Sequence, residues 1–113
     1  MEKFNKELIA ASTIPIILGI LENEDNYGYQ IIKEVQSLSD GELSWKEGSL
    51  YPVLTKLEQR GLIRSYIVET EGRKRKYYSI NKKGNHFLKS IHQEWMIINQ
   101  TLNKLWTPKP DLI

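Results

Sequence analysis

Residues 47–80 read Glu-Gly-Ser-Leu-Tyr-Pro-Val-Leu-Thr-Lys-Leu-Glu-Gln-Arg-Gly-Leu-Ile-Arg-Ser-Tyr-Ile-Val-Glu-Thr-Glu-Gly-Arg-Lys-Arg-Lys-Tyr-Tyr-Ser-Ile, and their apolar period changes partway along. Leu50, Val53, Leu54 and Leu57 recur at three- and four-residue intervals, a stripe about 100° wide on an α-helix. This helix starts near Glu47-Gly48, accommodates Pro52 in or just after its first turn, and closes at Gly61 in the C-cap position. Beyond Gly61 the composition shifts to Ile, Val and Tyr, which predicts strands over Leu62 to Glu69 and Lys76 to Ile80. The residues between them, Thr70-Glu71-Gly72-Arg73-Lys74-Arg75, centre on a glycine and predict a hairpin with a basic tip.

Upstream lie two more helices. Lys6 to Ala11 forms a short helical lead, after which Thr13 is the expected N-cap with Pro15 near the first turn. Ile14, Ile17, Leu18 and Leu21 then line a buried first helix. A polar turn, Asn23-Glu24-Asp25-Asn26, precedes a second helix carrying Tyr29, Ile31, Ile32 and Val35 and ending near Ser39-Asp40-Gly41. Downstream, Asn81 caps a last helix that runs to about Trp106 and is stopped by Pro108 and Pro110. Helix, helix, helix, hairpin, helix is the order of a winged helix-turn-helix. The expected fold is mainly α with a small β-hairpin: a DNA-binding unit over residues 1–81, a long C-terminal dimerisation helix over 82–106, and a tail over 107–113.

Composition narrows the function. With 113 residues, 40% apolar and 27% charged, the chain is one ordered domain. It has no cysteine, which excludes disulfides, thiol catalysis and cysteine-based zinc sites. The uncharged run Leu8 to Leu21 is shorter than the roughly 20 residues of a membrane span, and its acidic flanks do not fit a signal peptide. A cytoplasmic protein is expected. No metal-ligand spacing, Ser-His-Asp set or phosphate loop appears, so neither an enzyme nor a cofactor is expected. His86 and His92, six apart on one helix, are expected on nearly opposite faces.

A net charge of +2 hides an asymmetry. Residues 1–55 carry nine acids against four bases, whereas residues 56–113 carry five acids against twelve bases. Half of those twelve lie between Arg60 and Lys76, which points to a polyanion-binding face. With its apolar stripe inward, the third helix turns Gly48, Pro52, Thr55, Lys56 and Gln59 to solvent, with Ser49 and Tyr51 on the shoulders. That small, polar, acid-free face suits a major groove about 12 Å wide. Ser49 and Tyr51 at the helix start suit phosphate oxygens. Arg73, Lys74 and Arg75 at the hairpin tip would reach the DNA backbone or minor groove, and Lys33 on the second helix joins the DNA-binding set.

Leu88, Ile91, Trp95, Ile98, Leu102 and Leu105 follow a 3-4-3-4-3 spacing, a heptad seam. At 1.5 Å per residue the helix is roughly 36 Å long, against about 34 Å for a compact chain of this length. A single globule hardly covers such a seam, and a symmetric dimer does so economically. Trp95 would then face its counterpart across a gap suited to a flat aromatic ligand, or to a cation attracted by the indole faces. Two readings compete: Trp95 as a large core residue, and the long helix as a docking surface for another protein with an incidental basic hairpin.

Four blocks, in order, carry a family likeness: Tyr27-Gly28-Tyr29-Gln30-Ile31-Ile32, Gly48-Ser49-Leu50-Tyr51-Pro52-Val53-Leu54, Leu57-Glu58-Gln59-Arg60-Gly61-Leu62-Ile63 and Arg75-Lys76-Tyr77-Tyr78-Ser79-Ile80. Together they resemble the PadR family of transcriptional regulators, and the single C-terminal helix with its tryptophan is most similar to the family's multidrug-binding repressors. The resemblance implies a dimeric repressor that binds double-stranded DNA at a pseudo-palindromic operator and releases it on binding an aromatic or cationic small molecule. By the same resemblance the effector pocket would be walled by Leu8, Ala11, Ser12 and Pro15, with Ile91 and Asn99 one turn either side of Trp95.

Overall fold

The structure, a computed structural model, describes residues 5–107. Its elements are α1 (Lys6–Asn23), β1 (Asn26–Tyr27), α2 (Gly28–Leu38), α3 (Glu47–Gln59), β2 (Ile63–Thr70), β3 (Arg73–Ile80) and α4 (Lys82–Trp106). The mainly helical winged-helix architecture expected from the sequence is the one observed, with the hairpin extended by β1 into a three-stranded antiparallel sheet of order β1-β3-β2.

The first helix differs from expectation. It is continuous from Lys6, and its cap is Asn5, whose side chain accepts from the N–H groups of Glu7 and Leu8 at 2.8 and 3.3 Å. Thr13 is not a cap. Its hydroxyl and that of Ser12 donate back to the Ile9 carbonyl at 2.7 and 3.1 Å, as mid-helix Ser and Thr do. Pro15 therefore lies inside the helix. An internal proline costs about 3 kcal/mol, but α1 buries Ile17, Leu18, Ile20 and Leu21, each worth about 1.5–3 kcal/mol. Burial of the apolar run outweighs the lost backbone bond.

The hairpin also differs. Its strands pair from Ile63↔Ile80 out to Thr70↔Arg73, leaving only Glu71-Gly72 as the turn. Both have positive φ, +53° and +74°, as a type I′ turn requires to match strand twist. Arg73, Lys74 and Arg75 are thus strand residues rather than a loop tip. The register decides it, because each added pair gives the ladder more hydrogen bonds than a six-residue loop retains. Tyr29, expected among the inward residues of α2, is 54% exposed.

The core joins Ile17, Leu18 and Leu21 of α1, Ile31 and Val35 of α2, Leu50, Leu54 and Leu57 of α3, Ile63 and Tyr78 of the sheet, and Leu88 of α4. Gly61 ends α3 as expected, at φ +75°. Its N–H donates to the Glu58 carbonyl and that of Leu62 to the Leu57 carbonyl, both at 3.0 Å, which is a Schellman closure. The same corner fastens α4. Asn81 donates its Nδ2 to the Gly61 carbonyl at 2.7 Å, and its Oδ1 accepts from Gly84 N–H at 2.8 Å. Gly84 is there because nothing larger fits: a Cβ would stand 2.1 Å from the Leu62 carbonyl oxygen and 2.7 Å from Ile80 Cγ1.

The radius of gyration is 17.1 Å and the molecule measures 70 × 33 × 21 Å, against about 13 Å for a compact chain of this length. The cause is α4, which outruns the core. Leu88 is buried and Ile91, Trp95 and Leu102 are half-buried, but Ile98 is 50% exposed, Leu105 72% and Trp106 71%. Pro108 and Pro110, expected to stop the helix, lie outside the described residues.

Candidate nucleic-acid interface

The exposed face of α3 carries Gly48, Ser49, Pro52, Thr55, Lys56 and Gln59, all solvent-exposed, because Leu50, Leu54 and Leu57 are anchored in the core. Pro52, Thr55, Lys56 and Gln59 stand at helical i, i+3, i+4 and i+7 positions, so they form one strip. Tyr51, on the flank of that strip, turns toward α2. Its hydroxyl overlies Gly28, where a Cβ would be only 2.6 Å from the phenol oxygen. Partial burial, and secondarily Glu47, raise the Tyr51 pKa and keep the hydroxyl a donor.

The wing lies against the start of α2. Arg75 sits over the Tyr27 ring, 4.4 Å from its centroid, a cation–π arrangement. Tyr27 in turn packs at 5.2 Å on Tyr77, and Tyr77 stacks at 5.8 Å on Tyr66. The Tyr66 hydroxyl donates to Asp25 Oδ2 at 2.6 Å, and accordingly its pKa is raised. This aromatic ladder fixes the wing to the turn between α1 and β1. On the other side, Ser65 donates to Glu58 at 2.6 Å, and Lys76 Nζ stands 4.0 Å from the same carboxylate.

Of the residues expected on DNA, Tyr51, Arg73, Lys74 and Arg75 converge on one cleft, and Ser49, Pro52, Thr55, Lys56 and Gln59 lie on the helix strip. Lys33 is exposed on α2 and reaches the cleft only through Tyr29, with Nζ 5.5 Å from that ring's centroid. Sequence reasoning missed Tyr27, Tyr29 and Lys76, which line the same cleft. The Tyr-Gly-Tyr at the start of α2 was the available signal, since two aromatics flanking a glycine leave room for a third.

A second concavity, about 710 Å³, runs between α1 and α4. Of the expected effector residues, Pro15, Ile91 and Trp95 line it; Leu8, Ala11, Ser12 and Asn99 do not. His86 and His92 both line it, which corrects the expectation of opposite faces: six residues along an α-helix is 120°, close enough for both to flank one groove. Glu22, Lys82, Asn85 and Lys89 complete its polar rim. Among the described residues no helix is long and apolar enough to cross a membrane.

A helix with a polar, acid-free strip on its exposed face, beside a basic antiparallel wing, defines a winged-helix protein of the nucleic-acid-binding class. The chain belongs to the PadR-like family of transcriptional regulators, whose family model matches residues 17–90 and whose members are DNA-binding regulators. It is similar to a transcriptional regulator from Clostridium thermocellum, with 32% identity and a TM-score of 0.83 over 92% of this chain and 99% of that one. A PadR family transcription regulator from Clostridium difficile R20291 is 36% identical, with a TM-score of 0.73 over 83% of this chain and 97% of that one. The transcriptional regulator YqjI of Escherichia coli is 31% identical over 87 residues, which are 77% of this chain and 41% of that protein.

Proposed function

We propose that the protein is a cytoplasmic, homodimeric repressor that reads a pseudo-palindromic DNA site. The two α3 helices enter successive major grooves about 34 Å apart on one face of the duplex. The observation that carries this reading is the acid-free strip Pro52-Thr55-Lys56-Gln59 standing beside the cations of β3. Thr55, Lys56 and Gln59 hydrogen-bond base edges, while Ser49 and Arg73 to Arg75 contact the backbone. Residues 1–81 act as the reading unit and 82–106 as the dimerisation helix. Support for the dimer comes from the distal half of α4, where Ile98, Leu105 and Trp106 on the seam side are exposed, large apolar side chains that a partner helix would cover.

The release step is part of the same proposal. A planar aromatic effector sits against Trp95, as in the family's multidrug-binding repressors, and changes the angle between paired α4 helices. It acts only to the extent that it prefers one arrangement over the other. The groove lined by Pro15, Ile91 and Trp95 supports this placement.

Fluorescence anisotropy tests the DNA reading, with the duplex upstream of the protein's own gene against a scrambled duplex, over a salt series. Expected is tight binding that favours the native sequence and weakens with a log–log slope of about −0.9 per phosphate contacted. Weak, equal, salt-insensitive binding to both would instead make the long helix a protein-docking surface. Trp95→Ala is expected to abolish aromatic-induced release, and retained release would sink the pocket.

A further inference from the structure

In the sheet order β1-β3-β2, β2 pairs with β3 along all eight of its residues without a bulge, and its far side meets no strand. The two-residue turn fixes which groups that side presents. In a type I′ hairpin of this length Thr70 and Arg73 form a hydrogen-bonded pair, and bonded pairs then alternate down the ladder. Arg64, Tyr66, Val68 and Thr70 therefore aim their N–H and C=O groups at β3, whereas Ser65, Ile67 and Glu69 aim theirs outward. Among the described residues, none of those three makes a backbone hydrogen bond outside the sheet.

Edge strands are ordinarily blunted by proline, lysine or a bulge. Residues 65–70, Ser-Tyr-Ile-Val-Glu-Thr, carry none of these. They concentrate strand-forming side chains instead, and at their centre Ile67 is 61% exposed and Tyr66 42%. The strand is also complementary to itself. Antiparallel pairing with the β2 of a second copy, about a two-fold axis at Ile67, sets Ile67 against Ile67, Tyr66 against Val68, Ser65 against Glu69 and Arg64 against Thr70. No like charges oppose, Ile67 and Tyr66 are both covered, and the outward groups of Ser65, Ile67 and Glu69 fall at the bonded positions. The neighbouring registers fit worse. Centring on Tyr66 sets Ile63 against Glu69 and Arg64 against Val68, and centring on Val68 sets Ile67 against Glu69.

We propose that the free edge of β2 docks the same edge of a second copy, joining two wings into one continuous sheet with three strands from each. The inference goes beyond the proposed function, in which copies meet through α4. Two-fold contacts at α4 and at β2 use different surfaces, so the second joins one dimer to the next instead of closing on the first. About seven residues a side fall well short of the roughly 20–30 of a stable interface. The pairing is therefore weak between freely diffusing chains and strengthens where neighbours are held side by side, as on adjacent DNA sites.

The chain has no cysteine, so single introduced thiols report the contact. Full-length Ile67→Cys and Glu69→Cys are treated with a short thiol-to-thiol cross-linker over a series of protein concentrations, without DNA. In the proposed register the Cα of position 67 stands about 5.5 Å from its counterpart, and position 69 stands about 14 Å from its own. Both positions are exposed, so random collision treats them alike. Expected is cross-linking of Ile67→Cys at least about tenfold faster than of Glu69→Cys, at a rate that rises with protein concentration. Glu69→Pro is then added to Ile67→Cys. The Glu69 N–H points away from β3, so proline there removes an outward donor and spares the ladder; cross-linking at 67 is expected to fall to the level of Glu69→Cys. Equal rates at 67 and 69 overturn the proposal, as does a rate at 67 that the proline leaves unchanged. The comparison of 67 with 69 decides the matter even where circular dichroism shows that the proline has unsettled the hairpin. No DNA enters the experiment, so its failure is distinct from failure of the DNA-binding reading.

Discussion

Replacing Gly84 by alanine sets two effects of known sign against each other. Inside a helix, alanine is favoured over glycine by about 0.8–1 kcal/mol, so α4 considered alone predicts a gain. The tertiary structure predicts the reverse. The new Cβ would stand 2.1 Å from the Leu62 carbonyl oxygen and 3.0 Å from its carbon, and that carbonyl is backbone held by the closure of α3. Relief requires the start of α4 to back away by about 1 Å, since carbon–oxygen contacts settle near 3.3 Å or beyond. Such a move strains the 2.7 and 2.8 Å bonds of Asn81. Overpacking costs about 1–3 kcal/mol and loss of an N-cap about 1 kcal/mol. Less the propensity gain, Gly84→Ala is expected to destabilise by about 1–3 kcal/mol, read as a lower urea midpoint at fixed protein concentration. Gly48→Ala is the internal control, because a Cβ there meets nothing within 4 Å, and it is expected to stabilise slightly. Equal stability of Gly84→Ala and wild type would refute the close-approach argument.

Gly61→Ala places a Cβ on a residue at φ +75° and is expected to cost about 1 kcal/mol, with Gly61→Asn milder; thermal unfolding monitored by circular dichroism checks the order. Leu105→Glu puts a charge into the exposed α4 seam; in the proposed dimer two leucines would be lost from the interface, about 1.5–3 kcal/mol each, and the dissociation constant is expected to rise at least a hundredfold in analytical ultracentrifugation. Tyr66 has its pKa raised above 10.0, chiefly by donating to Asp25. Its contribution is therefore complete below pH 10 and is lost as the pH rises through the folded-state value. Melting temperature is expected to fall above pH 10, and less steeply in Tyr66→Phe; identical pH profiles would dissociate this bond from stability.

The elements that the sequence announced are those whose local and tertiary demands agree. The stripe of α3, its closure at Gly61 and the Asn81 cap were all legible because each is a local pattern that packing then reinforces. The misreadings arose where distant contacts override a local signal. Thr13 and Pro15 look like a helix start, and only the burial of Ile17 through Leu21 carries the helix past them. Glu-Gly is a weaker turn signature than Asn-Gly, so the short turn was hidden behind the apparent basic loop. β1 has two residues and no periodicity to detect. The cleft could not be read at all from spacing, since Tyr27, Tyr51 and Lys76 are brought together only by the sheet order and the missing side chain at Gly28.

The hydrogen bonds from Asn81 to the end of α3, and the contact of Gly84 with Leu62, leave no slack between the long helix and the reading head. At 25 residues, α4 is an arm of about 37 Å, and a shift of about 3 Å at its free end turns its root by about 5°. Because the root is bonded to the Gly61 corner, α3 takes up that rotation instead of a compliant linker absorbing it. The molecule is geared. A few glycines inserted between Ile80 and Asn81 would loosen the arm from the head, and the release step proposed above would then no longer reach α3.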